Sequence, residues 1–222
     1  MNSYYPILKK TPLLNGVDNA DLEKLLGCLD ARKRSFGRSE AILLAGEEAR
    51  DVGVVLSGRV QVVQEDVTGS RTILAQLGEG SLFAEAFACS DFKTLSVSVF
   101  SVSECTVLFL DCKKLMTACP GGCGFHNQLI QNMLRVLANK NVLLSRKMEH
   151  LSKRTTREKL LSYLSEQAVI CKSREFSIPF NRQELADYLC VDRSAMSAEL
   201  GRLRDEGLLE FERSRFLLRD SG

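Results

Sequence analysis

The chain has 222 residues, of which 45% are hydrophobic and 26% charged, and its formal net charge at neutral pH is +2. That is enough material for two compact domains and unlike a disordered chain. The near balance of charge gives no global electrostatic case for nucleic acid, and the balance persists from Ser152 onward, so any basic surface must be local. No apolar run reaches the roughly 18 residues that a membrane span requires, and MNSYYPILKK lacks the blocks of a signal peptide. The expectation is a cytoplasmic protein with no membrane partner.

Asp18 to Leu29 reads as a capped amphipathic helix. From about Ala31 to Leu110 the pattern changes to short alternating runs: AILLAGEE, DVGVVLSGRVQVVQED, SRTILAQLGEG, LSVSVFS and CTVLFLD. Gly58 and Gly69 fit tight turns between them. Short strands punctuated in this way predict an antiparallel roll or barrel. Asp111 is placed to cap a short helix through Met116.

Gly124 to Lys153 has neither Pro nor an internal Gly, and Ile130, Leu134, Leu137, Asn141, Leu144, Met148 and Leu151 recur at alternating spacings of four and three. This is a heptad seam. A single Asn among aliphatic seam positions marks a parallel two-stranded coiled coil, because paired amides set register and partner number. A homodimer is therefore expected. A second stripe of Leu129, Met133, Val136, Lys140 and Leu143 is expected to pack on another part of the same chain. The competing reading is one buried helix with a wide apolar face.

Asn181 to Gly207, NRQELADYLCVDRSAMSAELGRLRDEG, predicts two short helices joined by a three-residue turn. Asn181 and Glu184 form a capping-box pair, and Leu185, Ala186 and Leu189 share one face of a helix ending near Leu189. Cys190, Val191 and Asp192 make the turn. Asp192 then caps a second helix with an apolar stripe of Met196, Leu200 and Leu203. Glu175 to Phe180 looks strand-like, and Leu208 to Phe211 with Arg215 to Leu218 suggests a hairpin, which completes a winged helix-turn-helix. The expected domains are 1–123, a sensor; 124–152, a dimerisation helix; and 153–222, a DNA-binding domain.

An α+β chain of this order, with an N-terminal antiparallel β-roll (jelly roll), a long dimer helix and a C-terminal winged helix-turn-helix, resembles the Crp/Fnr family of bacterial transcription regulators. The likeness rests most on RQELADYLCVDRSAMS, LSGRVQVV and GEGSLFAEAFA, the last similar to that family's effector-binding cassette. It implies a transcription factor whose roll resembles a cyclic-nucleotide-binding domain and senses a small effector. The implied partners are double-stranded DNA carrying a pseudo-palindrome and a second copy of the chain, and the likeness admits RNA polymerase. In nucleotide-binding relatives a Gly-Glu pair is followed by Arg-Ser or Arg-Thr. Ala84 and Glu85 match the first pair here, Leu95 and Ser96 the second, and the Arg is missing. Leucine cannot offset the cost of burying a phosphate, so a cyclic nucleotide is not expected. The equivalent cavity would be lined by Phe83, Ala86, Phe87, Leu95, Met133 and Val136, with Lys140 admitting an anionic apolar ligand. A filled core with no ligand is the other reading, and the cofactor stays unknown.

Matching positions in the family assign Arg193, Ser194, Ser197 and Ala198 to the groove-facing set, with Arg193 able to bond a guanine edge through two hydrogen bonds. Ala198 departs from the Arg many relatives carry there. Arg182, Ser194, Arg202, Arg213 and Arg215 are candidates for phosphate contacts, and Cys190 replaces a Gly frequent at this turn. Cys112, Cys119 and Cys123 with His126 supply four donors, but their spacing follows no zinc or cluster rule, so no metal is expected and a redox role is left open. Cys28, Cys89, Cys105, Cys171 and Cys190 read as reduced side chains in or near the core. With His126 and His150 as its two histidines, the chain assembles no catalytic set, P-loop or dinucleotide fingerprint, and an enzyme is not expected. The alternative to a regulator is a ligand-binding or thiol-based redox sensor with weak or no DNA binding.

Overall fold

A computed structural model describes residues 4–65, 71–117 and 124–219. Gly69, Cys119 and Cys123 lie outside these residues. The chain divides into two compact units that meet at Ala138 and Asn139, inside the long helix rather than at either of its ends. Each unit is described by itself. No helix among the described residues is long and apolar enough to cross a membrane.

The first unit begins with helices α1 (Tyr5–Lys10) and α2 (Asn19–Cys28). Asp18 has the extended backbone of an N-cap, but its side chain makes no capping hydrogen bond, so the expected cap is geometric only. Strands β1 (Arg32–Phe36), β2 (Ala41–Leu43), β3 (Asp51–Ser57), β4 (Val60–Glu65), β5 (Arg71–Leu77) and β6 (Leu82–Phe83) follow. After helix α3 (Glu85–Ala88) come β7 (Ser98–Ser101), β8 (Cys105–Asp111) and helix α4 (Cys112–Met116). Asp111 caps α4 as expected, its carboxylate accepting from the Lys114 N–H at 2.9 Å. The strands form two antiparallel sheets ordered β1-β8-β3-β6 and β2-β7-β4-β5.

Strands β3 and β8 are apolar at nearly every position because both of their faces are covered. Val55, Val107 and Phe109 join Phe36, Val60, Phe83 and Val99 in a core between the sheets. The alternate residues Val52, Val54, Leu56, Leu108 and Leu110 face the other way, onto Leu22, Leu25, Leu129 and Met133 of the helices. Gly53 sits opposite Phe83, and a Cβ at Gly53 would lie 2.2 Å from Phe83 Cζ. Phe83 in turn meets Phe109 edge-on at 6.3 Å. Gly58 turns β3 into β4 at φ +79°, where a Cβ would strike the Glu104 carbonyl.

Helix α5 (Phe125–Leu151) is shared between the units. In its first half Leu129, Met133 and Val136 are buried. Leu143, expected in the same packed stripe, is instead 63% exposed: a stripe at helical spacing packs only along the length of its partner surface. His126, the fourth donor of the set with Cys112, Cys119 and Cys123, is buried at the start of α5. Its Nε2 contacts the Lys114 carbonyl at 3.0 Å.

The second unit holds the rest of α5, then α6 (Thr156–Cys171), β9 (Glu175–Ser177), α7 (Arg182–Leu189), α8 (Arg193–Asp205), β10 (Leu209–Glu212) and β11 (Arg215–Leu218). The three strands form one antiparallel sheet, β10-β11-β9. β9 is shorter than the strand-like run Glu175 to Phe180, since Pro179 has no N–H for a ladder. α6 opens on a capping box in which Thr155 Oγ1 accepts from the Glu158 N–H and Glu158 Oε2 accepts from the Thr155 N–H, both at 3.1 Å. His150, near the end of α5, is buried and contacts Ser162 Oγ and Glu166 Oε2 of α6, each at 2.8 Å. Cys171 and Cys190 are exposed. This corrects their assignment to the core: one ends α6 and the other occupies a turn, where no neighbouring element covers them.

Because the Gly53 site has no room for a methyl group, Gly53→Ala should destabilise the protein by roughly 1–3 kcal/mol. Adding Phe83→Leu should recover part of that loss, as read from urea unfolding of the single and double variants.

Candidate nucleic-acid interface and effector cassette

The second unit presents α8 through three features of its sequence. At the start of α7, Asn181 Oδ1 accepts from the Glu184 N–H at 3.0 Å, and Glu184 Oε2 accepts from the Asn181 N–H at 2.7 Å. At the turn, Cys190 adopts φ +51°, the left-handed conformation that favours Gly. At the start of α8, Asp192 Oδ1 accepts from the Ala195 N–H at 2.8 Å. Leu185, Ala186 and Leu189 of α7 then pack with Met196, Leu200 and Leu203 of α8, all fully buried. Ala186 permits this approach because it carries only a methyl group.

That anchoring leaves Arg193, Ser194, Ser197 and Ala198 exposed on the N-terminal part of α8. A helix buried by one stripe and polar at its exposed N-terminal end has the form a major groove accepts. The other cationic candidates differ in their surroundings. Arg213 is exposed in the hairpin turn at φ +51°, and Arg215 pairs with Glu175 across the wing. Arg202 bonds Glu199 at 2.9 Å. The Arg182 guanidinium lies over the rings of Phe211 and Phe216 at 4.9 and 5.2 Å, and burial lowers its pKa from the usual guanidinium value.

Arg157 of α6 was not singled out from sequence, yet it joins α6 to α8. It donates to Glu206 Oε1 at 2.8 Å and reaches Glu199 at 3.4 Å. Glu199 is nearly buried on the packed side of α8, so these contacts bear on how that helix is seated. A surface Arg in a capped helix gives no sequence signal of this role.

In the first unit the proposed cassette is divided. Phe83 and Ala84 pack with the core between the sheets, whereas Phe87, Leu95 and Met133 pack with the core facing the helices. Ala86 and Ser96 are exposed, Val136 is buried, and Lys140 is half-buried and belongs to the second unit. The residues expected to line one apolar cavity are thus divided between the two packed layers that β3 contributes to. Ala84 has φ +63°, the backbone that the Gly of a Gly-Glu pair supplies without strain. Glu85 is buried at the first position of α3. The seam residues of α5 are mostly on the surface: Leu134, Leu144 and Met148 are 61%, 62% and 70% exposed. Asn141 is exposed, while Ile130, Leu137 and Leu151 are partly covered.

Comparison with known proteins follows the same division. Residues 33–119 match the cyclic nucleotide-binding domain family, and residues 158–221 match the Crp-like helix-turn-helix domain family. The cAMP-activated global transcriptional regulator CRP of Haemophilus influenzae is 23% identical over 185 residues, covering 78% of each chain. Among solved structures, CprK complexed with OCPA is similar with a TM-score of 0.65 at 17% identity, covering 88% of this chain and 89% of that one. The c-di-GMP-responsive global regulator CLP of Xanthomonas campestris is similar with a TM-score of 0.59 at 17% identity, covering 92% of this chain and all of that one, 100%.

Two outcomes are expected from this geometry. Cys190→Gly removes a left-handed non-Gly residue and should stabilise the second unit by up to about 1 kcal/mol, measured by chemical denaturation. The hydrogen bond from Arg157 holds the Glu206 carboxyl below its ordinary value. A carboxyl depressed in the folded state contributes stability above its unfolded pKa of about 4.3 and loses it as pH falls through the lower folded value. The gap in melting temperature between wild type and Arg157→Met should therefore be constant above about pH 5 and close in stronger acid.

Proposed function

Since this chain belongs to the Crp/Fnr family of DNA-binding transcription regulators, we propose that it acts as a homodimer, reads a pseudo-palindromic duplex, and answers to an effector that is not a cyclic nucleotide. The observation carrying the DNA reading is the exposed Arg193, Ser194, Ser197 and Ala198 face of a helix whose opposite side is locked by Met196, Leu200 and Leu203. Arg193 reads a guanine, Ala198 touches at most a thymine methyl, and Ser194, Arg182, Arg202, Arg213 and Arg215 serve the backbone.

Dimerisation is supported by the apolar seam on α5, where Leu134, Leu144 and Met148 are exposed and Asn141 lies in line with them. Two copies of α8 on a two-fold axis would then meet half-sites about 34 Å apart. The effector reading rests on Leu95. It is buried among aliphatic side chains at the position where a nucleotide phosphate would require a cation. Effector binding in the first unit would bias the seam and so the spacing of the two DNA-binding units, which takes a preference for one arrangement of roughly 1–3 kcal/mol.

The test is selection of bound duplexes from a random pool by purified protein, with and without cyclic AMP. Wild type should enrich a two-fold-symmetric site, and cyclic AMP should leave its affinity unchanged. Arg193→Ala should relax the preference at one base pair per half-site, by roughly 5- to 150-fold. Enrichment of an asymmetric site would remove the homodimer reading, and cyclic-AMP-dependent enrichment would remove the effector reading.

A further inference from the structure

Two cysteines that are far apart in the sequence meet in the first unit. Cys89 ends α3 and Cys112 begins α4 after β8, and their sulfurs are 2.8 Å apart. Both residues line an open groove of about 580 Å³ whose wall carries Arg50, Lys93 and Lys113 together with Glu48, Asp91 and Asp111; Cys89 is half-buried and Cys112 buried at its base. A disulfide has an S–S length of about 2.05 Å, so only a small side-chain movement separates this contact from a bond. The geometry points to Cys89 and Cys112 as a dithiol site that a hydroperoxide oxidises to an intramolecular disulfide.

The hydrogen bond that the two sulfurs share lowers one thiol of the pair and raises the other, so the pair holds one thiolate beside one thiol. Lys93 favours that thiolate, while burial and Asp111 oppose it. Thiolate is the nucleophile toward peroxide. The thiolate sulfur attacks one peroxide oxygen, the O–O bond breaks, and the departing oxygen takes a proton and leaves as water or an alcohol. That cysteine is then a sulfenic acid. The other cysteine attacks that sulfur, its proton goes to the departing hydroxide, and the S–S bond forms with release of water. Two thiols and one hydroperoxide thus give one disulfide, and the two electrons lost by sulfur are those gained by the peroxide.

The bond would tie the C-terminal end of α3 to the start of α4. α3 directly follows Ala84 in the cassette, so oxidation would fix the segment in which the family resemblance places effector contacts. The chemistry is complete within the first unit and stands whether or not the DNA and effector readings hold.

The test uses the purified full-length chain, reduced and then treated with one equivalent of hydrogen peroxide, followed by alkylation and non-reducing peptide mapping. The expected product is one peptide pair joined through Cys89 and Cys112, with two of the eight thiols lost and both regained with dithiothreitol. Cys89→Ser and Cys112→Ser should each abolish the disulfide; the variant that keeps the attacking thiol should stop at a sulfenic acid trapped by dimedone, and the one that lacks it should consume peroxide about tenfold or more slowly. Recovery of Cys89 and Cys112 both alkylated from wild type would overturn the proposal. So would a cross-link between Cys119 and Cys123 or between chains in its place. The wild-type map decides this even where a Ser variant fails to fold.

Discussion

The two-sided burial of β3 and β8 is the constraint on which the first unit depends. Each strand must satisfy a core between the sheets through one set of alternate residues and a helix-facing core through the other. A one-residue slip would exchange the two sets. It would move Val52, Val54 and Leu56 into a space shaped around Phe83 and Phe109, and bring Val55 against Leu129 and Met133. Gly53 is part of the same constraint, because the Phe83 ring fills the volume that any Cβ would take. The start of α5 is therefore held by the same strand pair that closes the roll, and a change inside the roll has a packed route to that helix.

In the second unit, polar contacts define the ends of elements and apolar contacts their faces. Thr155, Asn181 and Asp192 each satisfy backbone N–H groups at a helix start, which sets where α6, α7 and α8 begin before any tertiary contact forms. Met196, Leu200 and Leu203 then decide which side of α8 is hidden. The Arg157 contacts with Glu206 and Glu199 add a charged tie whose worth is limited by its exposure. Cys190 works against the arrangement: the turn requires a left-handed residue and Cys meets that requirement at a cost Gly avoids.

What was legible in the sequence follows from these same causes. Caps and periodic stripes announce themselves locally, so the limits of α7, α8, the wing hairpin and the capped α4 could be read directly. Strand runs bounded by Gly were legible for the same reason. α6 was not singled out although Thr155 and Glu158 carry a capping box, because its apolar positions do not form a clean stripe. The exposure of Leu143 was hidden because a stripe's spacing does not say how far the partner surface extends. The Cys89 and Cys112 contact had no sequence signal: the two residues are brought together only by the return of β8 beside the end of α3. Arg157 was equally silent, since its partners lie on a helix far along the chain.

The cassette shows how backbone can be retained while chemistry changes. Ala84 occupies the left-handed conformation that the Gly of a Gly-Glu pair would occupy, at a cost on the order of 1 kcal/mol, so the turn into α3 is kept although the residue suited to it is not. Leu95 shows the opposite behaviour. An Arg at that position would have to bury a guanidinium in the helix-facing apolar core unless an anion accompanied it. Leucine removes that requirement and adds to the apolar packing of the helix-facing core. On the proposed reading, an effector for this roll would gain its affinity from something other than a buried phosphate and cation pair, with the left-handed Ala84 turn and buried Glu85 as candidates for its polar contacts.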